Sequence, residues 1–304
     1  MGYEVDFLGT NSETKSGDAI AMRFGNLHGT RADQVVIVID GGFTQDGTKV
    51  VEHIKSHYKT TKVDLVISTH PDQDHINGLA EVLEELEVGE LWLHLPWEHN
   101  SGLASKFQDG RFTDNSLGER LRESLNRAHL LFELAKSRGI PIREPFTGLT
   151  HSSRAVKVLG PTLEYYESLI PEFDGMPAKA NDSMPEGLLR KAGAMMKRLF
   201  AVWGNDHIDD NGVTSPKNNT SVITQIVVDG KRLVFTGDSG IDALHHAADE
   251  IDACIDSASL SFIQVPHHGS RRNVGPTVLN RLIGSPVQEG ERRPITAIAP
   301  PLSR

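Results

Sequence analysis

The segment STHPDQDHINGL, residues 68–79, constrains this chain more than any other stretch. It follows VDLVI at residues 63–67, which predicts a buried strand, and leads into apolar residues at helical spacing. Within six residues it places four side chains that can bind a metal ion: His70, Asp72, Asp74 and His75. Because a turn separates the strand from the helix, we expect Asp74 and His75 to face one cation and His70 and Asp72 another. Helix capping alone would explain one carboxylate and neither histidine.

Four further segments occur in a fixed order with this H-x-D-x-D-H motif. They are FLG with GDA (residues 7–9 and 17–19), VVIVIDGG (35–42), VFTGDSG (234–240) and VPHHGS (265–270). Together they resemble the metallo-β-lactamase superfamily and, more narrowly, the hydrolase domain of the ComEC competence proteins, which commonly has aspartate at the position of Asp72. The resemblance implies an α/β fold, the metallo-β-lactamase αββα sandwich, formed by residues 1–304 as a single domain.

The resemblance also implies a first metal site that lacks its usual third histidine. Its ligands would be His70, Asp72 and Asp238, the last bridging two ions, with water or the carbonyl oxygen of Asn219 completing the shell. An amide oxygen suits a harder ion better than it suits zinc. His207 is a second candidate for the missing imidazole, but its polar, Asp-rich loop favours a solvated side chain.

A second metal site would contain Asp74, His75, Asp238 and one histidine of the pair His267 and His268. Spacing does not decide between the two histidines. The superfamily often has this ligand directly before a glycine, which favours His268 and leaves its neighbour to orient a ligand or contact substrate.

This ligand set predicts a hydrolase that holds two divalent cations, zinc or manganese, with a hydroxide between them as the nucleophile. Asp74 would orient that hydroxide or assist proton transfer. A carboxylate-rich site suits phosphate esters, so we expect a phosphodiesterase or nuclease, with Arg271, Arg272 and Asn219 in contact with the substrate. The alternatives are a carboxylic ester, thioester or lactone hydrolase, and a partner-binding module that has lost activity.

Charge and composition limit the kinds of partner and the cellular location expected for this protein. A formal net charge of -10 argues against broad affinity for nucleic acids, although cations at the site would offset it locally. One cysteine, Cys254, excludes a disulfide framework. The amino terminus has no signal-peptide pattern and no run reaches membrane-spanning length, which predicts a free-standing cytoplasmic protein without a membrane partner.

Residues 100–205 depart from the superfamily pattern and predict a largely helical insertion that caps the site or forms an oligomer contact. Ser116–Arg138 has a helical apolar stripe, and residues 186–203 predict a second helix with a basic patch. A short strand at Ala155–Leu159 is expected to belong to the core sheet.

Overall fold

The computed structural model describes residues 1–9, 11–12, 15–177, 208–288 and 290–299. Two β-sheets face each other, and helices cover the outer face of each sheet. This four-layer arrangement confirms the predicted α/β class and the αββα sandwich.

The first sheet has six strands in the order β1-β4-β5-β7-β9-β10. β1 and β4 pair antiparallel, as do β4 and β5, whereas β5, β7, β9 and β10 run parallel. A hairpin of β2 and β3 and a parallel pair of β6 and β8 flank it. The bounds are β1 Gly2–Phe7, β2 Asn11–Ser12, β3 Lys15–Ser16, β4 Ala19–Gly25, β5 Gln34–Gly41, β6 Lys62–Val63, β7 Leu65–Ile67, β8 Glu87–Val88, β9 Leu91–Trp92 and β10 Ile142–Arg143.

The second sheet has five strands in the order of the chain, from β11 to β15. Its first two strand pairs are antiparallel and its last two are parallel. The first sheet likewise changes from two antiparallel pairs to parallel pairing. The bounds are β11 Val156–Gly160, β12 Ile223–Val228, β13 Lys231–Phe235, β14 Ser259–Gln264 and β15 Thr296–Ile298.

The helices of the described residues belong to the two outer layers and to the connections near the sheet edge. Their bounds are α1 Thr44–Ser56, α2 Gln73–Ile76, α3 Leu79–Glu85, α4 Asp114–Ser124, α5 Asn126–Ser137, α6 Leu163–Leu169, α7 Pro216–Asn219, α8 Ile241–Asp252 and α9 Pro276–Ile283. Short 3-10 turns connect several of them.

The strands form two-sided layers because successive side chains point to opposite faces. In β5, Ile37 and Ile39 enter the core between the sheets, whereas Val36 and Val38 pack under the helices of the first sheet. In β13, Leu233 and Phe235 enter the same inner core, whereas Val234 belongs to the apolar cluster under α8 and α9, on the outer face of the second sheet. Both faces of each sheet are therefore buried, which rigidly positions the strand ends.

The range predicted as an insertion contributes both helices and strands. Its long helical run is two helices, because the chain leaves helical geometry at Leu125 (φ −108°, ψ 37°) between α4 and α5. β10 joins the first sheet, and β11 lies at the edge of the second, as expected for the strand at Ala155–Leu159. The role of residues 100–205 as cap or interface stays a prediction, and the basic helix at 186–203 lies outside the described residues.

Among the described residues, every helix is too short or too polar to traverse a lipid bilayer. A cytoplasmic location stays a prediction.

His99, in the turn after β9, contacts two carboxylates: Glu144, which follows β10, and Glu167 in α6. Its Nε2 lies 3.0 Å from Glu144 Oε1 and its Nδ1 lies 2.9 Å from Glu167 Oε1. Burial lowers the pKa of His99, but hydrogen bonds to Glu144 and Glu167 outweigh it, and the pKa is raised above the ordinary 6.5. A raised folded-state pKa adds stability that is complete below the unfolded-state pKa and disappears as the pH rises through the folded-state value.

We therefore expect His99→Gln to destabilise the protein more at about pH 5.5 than at about pH 8.5, because only the protonated imidazole attracts both glutamates. Thermal unfolding across this range measures the effect. The exposed His28→Gln is the control and should follow the wild-type profile. A Tm loss in His99→Gln that is constant across the range would contradict the assigned ion pairs.

Candidate metal centre

The predicted ligands meet at one edge of the sandwich, where parallel strands of both sheets end. His70 follows β7, Asp238 follows β13, and the pair His267 and His268 follows β14; Asp40, which was not among the predicted ligands, is the penultimate residue of β5. Because parallel strands bring their carboxyl ends to the same edge, residues far apart in sequence converge here.

The first ligand group consists of His70, Asp72 and Asp238. The Nε2 atom of His70 lies 3.9 Å from Asp72 Oδ2 and 3.9 Å from Asp238 Oδ2. Ligand atoms at about 2.0–2.2 Å from one cation lie roughly 3–4 Å from each other. Each of these two separations is of the size expected for a pair of side chains that share an ion.

The second ligand group consists of Asp74, His75, His268 and the other oxygen of Asp238. His75 Nε2 lies 3.4 Å from Asp238 Oδ1 and 4.0 Å from Asp74 Oδ2. His268 Nε2 lies 3.8 Å from Asp74 Oδ2. Asp238 thus presents one carboxylate oxygen to each group, as a bridging ligand requires.

The polar atoms that face the centre fit a cation. His70 Nε2, His75 Nε2, His268 Nε2 and Asp238 Oδ1 are buried and have no hydrogen-bond partner. Leaving buried polar atoms unpaired is costly, and so many together need an explanation. Imidazole nitrogens and carboxylate oxygens are together the donor set of a divalent transition metal.

The buried Asp40 sets the orientation of the two histidines from the first motif. Its Oδ1 accepts from the Thr69 backbone N–H at 2.8 Å, and its Oδ2 accepts from the Thr69 hydroxyl at 2.6 Å. Asp40 Oδ2 also accepts from His75 Nδ1 at 2.8 Å. Because the Thr69 hydroxyl proton is committed to Asp40, His70 Nδ1, 3.0 Å away, must donate to Thr69. When neutral, both rings therefore present an unprotonated Nε2 to the centre.

His268 lies at ion-pair distance from the buried carboxylate of Asp18. Its Nδ1 lies 3.2 Å from Asp18 Oδ1. The amide of Gln264 donates to Asp18 Oδ2 at 2.7 Å, while its carbonyl oxygen accepts from the backbone N–H groups of Thr236 and Gly237. A continuous chain of hydrogen bonds thus fixes Asp18 against the second sheet.

The pKa values show how strongly the carboxylates attract positive charge to this place. Burial lowers the pKa of His70, which keeps its imidazole neutral. Burial also opposes charge on His75, but Asp238 and Asp40 raise the pKa of His75 well above its ordinary value. Burial is likewise outweighed at Asp238, whose pKa is lowered by His75. Asp18 and Asp74 raise the pKa of His268 to about 9 against the effect of burial.

Four further residues were predicted as contacts for the substrate or the metal, and none of them is seen among the ligand atoms described above. Asn219 uses its carbonyl oxygen to accept from the Gly240 backbone N–H at 3.1 Å, which directs it away from the ligand atoms. The side chains of Arg271 and Arg272 are exposed just beyond His267 and His268. His207 lies outside the described residues.

Several residues of the centre were not predicted as part of it. Asp18 and Asp40 stand in the quoted GDA and VVIVIDGG segments, where their position at a strand end was an available signal. Asn218 donates to Asp238 Oδ2 at 3.3 Å, and Lys217 Nζ lies 3.2 Å from Asp72 Oδ1. No spacing rule in the sequence separates Asn218 from Asn219.

A family model matches part of the chain. The family model described as the metallo-beta-lactamase superfamily matches residues 31–153, which include Asp40 and the whole motif from His70 to His75. No curated protein matches the chain. The ComEC-like branch is not resolved by these comparisons.

Solved structures named as metallo-β-lactamases are similar to the chain at low identity. A candidate metallo-β-lactamase from Thermotoga maritima has 10% identity and a TM-score of 0.37, over 78% of each chain. A protein from Hirschia baltica has 10% identity and a TM-score of 0.35, over 83% of this chain and 81% of that one. SMB-1, bound to 2-mercaptoethanesulfonate, has 12% identity and a TM-score of 0.36, over 92% and 83%.

We expect Asp40→Asn to weaken Zn²⁺ binding by about 10- to 100-fold, the usual effect of losing the partner of a metal-binding histidine. The new amide must place its NH₂ group toward His75 Nδ1, which then carries no proton and leaves the proton on Nε2. Competition with a chromophoric chelator measures the affinity.

Asp46→Asn is the matched control, because Asp46 is also a buried carboxylate but accepts from the Phe43 backbone N–H at the start of α1. It should alter stability and leave Zn²⁺ affinity at the wild-type value. Equal affinities for wild type and Asp40→Asn, with both proteins folded by circular dichroism, would show that Asp40 does not orient the ligands.

Proposed function

We propose that this protein is a metal-dependent phosphodiesterase that acts on nucleotides or short nucleic acids and holds two divalent cations, zinc or manganese. The observation that carries the proposal is the group of buried, unpaired atoms around Asp238: His70 Nε2, His75 Nε2, His268 Nε2 and Asp238 Oδ1. The coarser statement, a metal-dependent hydrolase, is supported by the superfamily match to the first motif.

Bound divalent cations would lower the pKa of a water molecule and polarise the bond that it attacks. Asp74 is the residue placed to orient that water. Burial raises the pKa of Asp74, but the neighbouring imidazoles of His268 and His75 outweigh burial and lower it, so the carboxylate is ionised. Its Oδ2 faces the two histidines, which leaves Oδ1 to accept a proton, and its side chain is 33% exposed.

Basic side chains at the rim favour an anionic substrate. Lys217 Nζ lies between Asp72 Oδ1 at 3.2 Å and Asp174 Oδ2 at 3.8 Å, next to the first ligand group. Arg271 and Arg272 follow the pair His267 and His268 in the sequence and have exposed side chains. Phosphate oxygens suit such cations, and guanidinium groups bind them in a bidentate manner. The net charge of -10 makes a short nucleotide a better substrate than long DNA.

Asp74→Ala should lower kcat by at least about 100-fold at saturating metal, because general acid–base groups contribute that much or more and a ligand is lost as well. Turnover of an aryl phosphodiester, with circular dichroism as the folding check, measures this. Asp229→Ala, an exposed carboxylate in the turn between β12 and β13, is the control. Wild-type turnover in Asp74→Ala would remove Asp74 from the mechanism.

The substrate class is tested by comparing a bis-aryl phosphate with an aryl acetate that has the same leaving group. We expect the phosphate to be cleaved faster, and Lys217→Ala and the double variant Arg271→Ala/Arg272→Ala to raise KM for it alone, because ground-state charge contacts are lost. Faster cleavage of the acetate, unaffected by these variants, would favour a carboxylic ester, thioester or lactone substrate. Bound metal without turnover of any substrate would favour a partner-binding module.

A further inference from the structure

We propose that His267 and His268 bind different cations. His268 belongs to the second ligand group. His267 completes the first group, which lacks the usual third histidine of the superfamily. This inference rests on the proposed metal dependence. It assigns both adjacent imidazoles as ligands, where the sequence led us to expect only one.

The backbone between the two histidines directs their rings apart. Both residues are in the left-handed region, with φ of 49° for His267 and 52° for His268. Such conformations are unfavourable for residues with a side chain and persist where the surroundings hold them. The ring centroids are 6.0 Å apart, and the planes differ by 64°.

The Nε2 atoms of the two rings lie beside different carboxylates. His268 Nε2 lies 3.8 Å from Asp74 Oδ2, in the second group. His267 Nε2 lies 3.6 Å from Asp238 Oδ2, the oxygen that also faces His70 Nε2 in the first group. The separation of His267 from Asp238 is thus of the same size as the separations within each ligand group.

Hydrogen bonds to Asn273 determine which nitrogen of His267 carries the proton. Asn273 Nδ2 donates to the backbone carbonyl oxygens of Asp238 at 2.8 Å and Ser239 at 3.2 Å, which fixes the orientation of the amide. Its Oδ1 therefore faces His267 Nδ1 at 3.1 Å and can only accept. The proton of the neutral ring lies on Nδ1, so Nε2 presents a lone pair toward Asp238, as metal ligation requires.

Asn218 occupies the region where the superfamily places its third histidine, and its amide is already committed. The Nδ2 group donates to Asp238 Oδ2 at 3.3 Å, while the protonated Nδ1 of His267, 3.4 Å from the same nitrogen, is not its acceptor. Its Oδ1 accepts from the Ser215 hydroxyl. With both ends of the Asn218 amide in use, and Asn219 turned to Gly240, His267 is the additional nitrogen donor that the described residues bring beside Asp238 Oδ2.

The test is the Zn²⁺ content of the full-length protein after equilibrium dialysis at fixed free Zn²⁺. His267→Gly removes the imidazole, and glycine adopts the left-handed conformation without strain, so the metal-free variant should melt at or above the wild-type Tm. His268→Gly is the matched variant, and the exposed His28→Ala is the control.

We expect two ions in wild type and in the control, and one ion in each single glycine variant. The double variant His70→Ala/His267→Gly should still hold one ion, because both residues serve the same group. The double variant His267→Gly/His268→Gly should hold none tightly, because each group loses a ligand.

Two ions at wild-type affinity in His267→Gly would overturn the inference while the proposed metal dependence stands. One tightly bound ion in His267→Gly/His268→Gly would also overturn it, since both histidines would then serve one ion. A wild-type protein that binds no Zn²⁺ would overturn the inference and the proposed function together.

Discussion

The hydrogen bonds of Asp40 determine the chemistry of the whole centre. One buried carboxylate accepts from the backbone and hydroxyl of Thr69 and from His75, and through Thr69 it also sets the proton on His70. Both imidazoles then face Asp238 with unprotonated nitrogens. A positive charge among these atoms stabilises the arrangement, because lone pairs and carboxylate oxygens otherwise face each other. The architecture of the sandwich gives Asp40 its position.

The fold supplies this position from both sheets at once. β5 and β7 deliver Asp40 and His70, while β13 and β14 deliver Asp238 and the histidine pair, each from a strand whose two faces are buried. The end of β5 packs closely against the segment before α3, since a side chain on Gly78 would collide with the carbonyl oxygen of Gly41. Asp18 and Asn273 act on the second sheet as Asp40 does on the first, each positioning one histidine. Two half-sites of similar construction therefore meet at Asp238.

Much of this follows from the sequence. The strand VVIVIDGG, the motif around His70 and the segment containing Asp238 predicted the αββα sandwich and the positions of its ligand loops through their resemblance to the metallo-β-lactamase superfamily. The orientation of individual side chains did not follow. Asn218 and Asn219 are adjacent and chemically identical, and only the turn of α7 decides which of them faces Asp238. The break at Leu125, and the left-handed backbone that separates His267 from His268, also depend on tertiary contacts with no local signal.

The most direct test of this account is a crystal structure of the protein with zinc or manganese, recorded at the absorption edge of the metal. The account requires two anomalous peaks about 3.5–4 Å apart, the usual separation in two-metal sites. Asp238 should lie between them, with His70 beside one peak and His75 beside the other. A single peak, or two peaks that do not share Asp238, would contradict a two-cation centre built around this carboxylate.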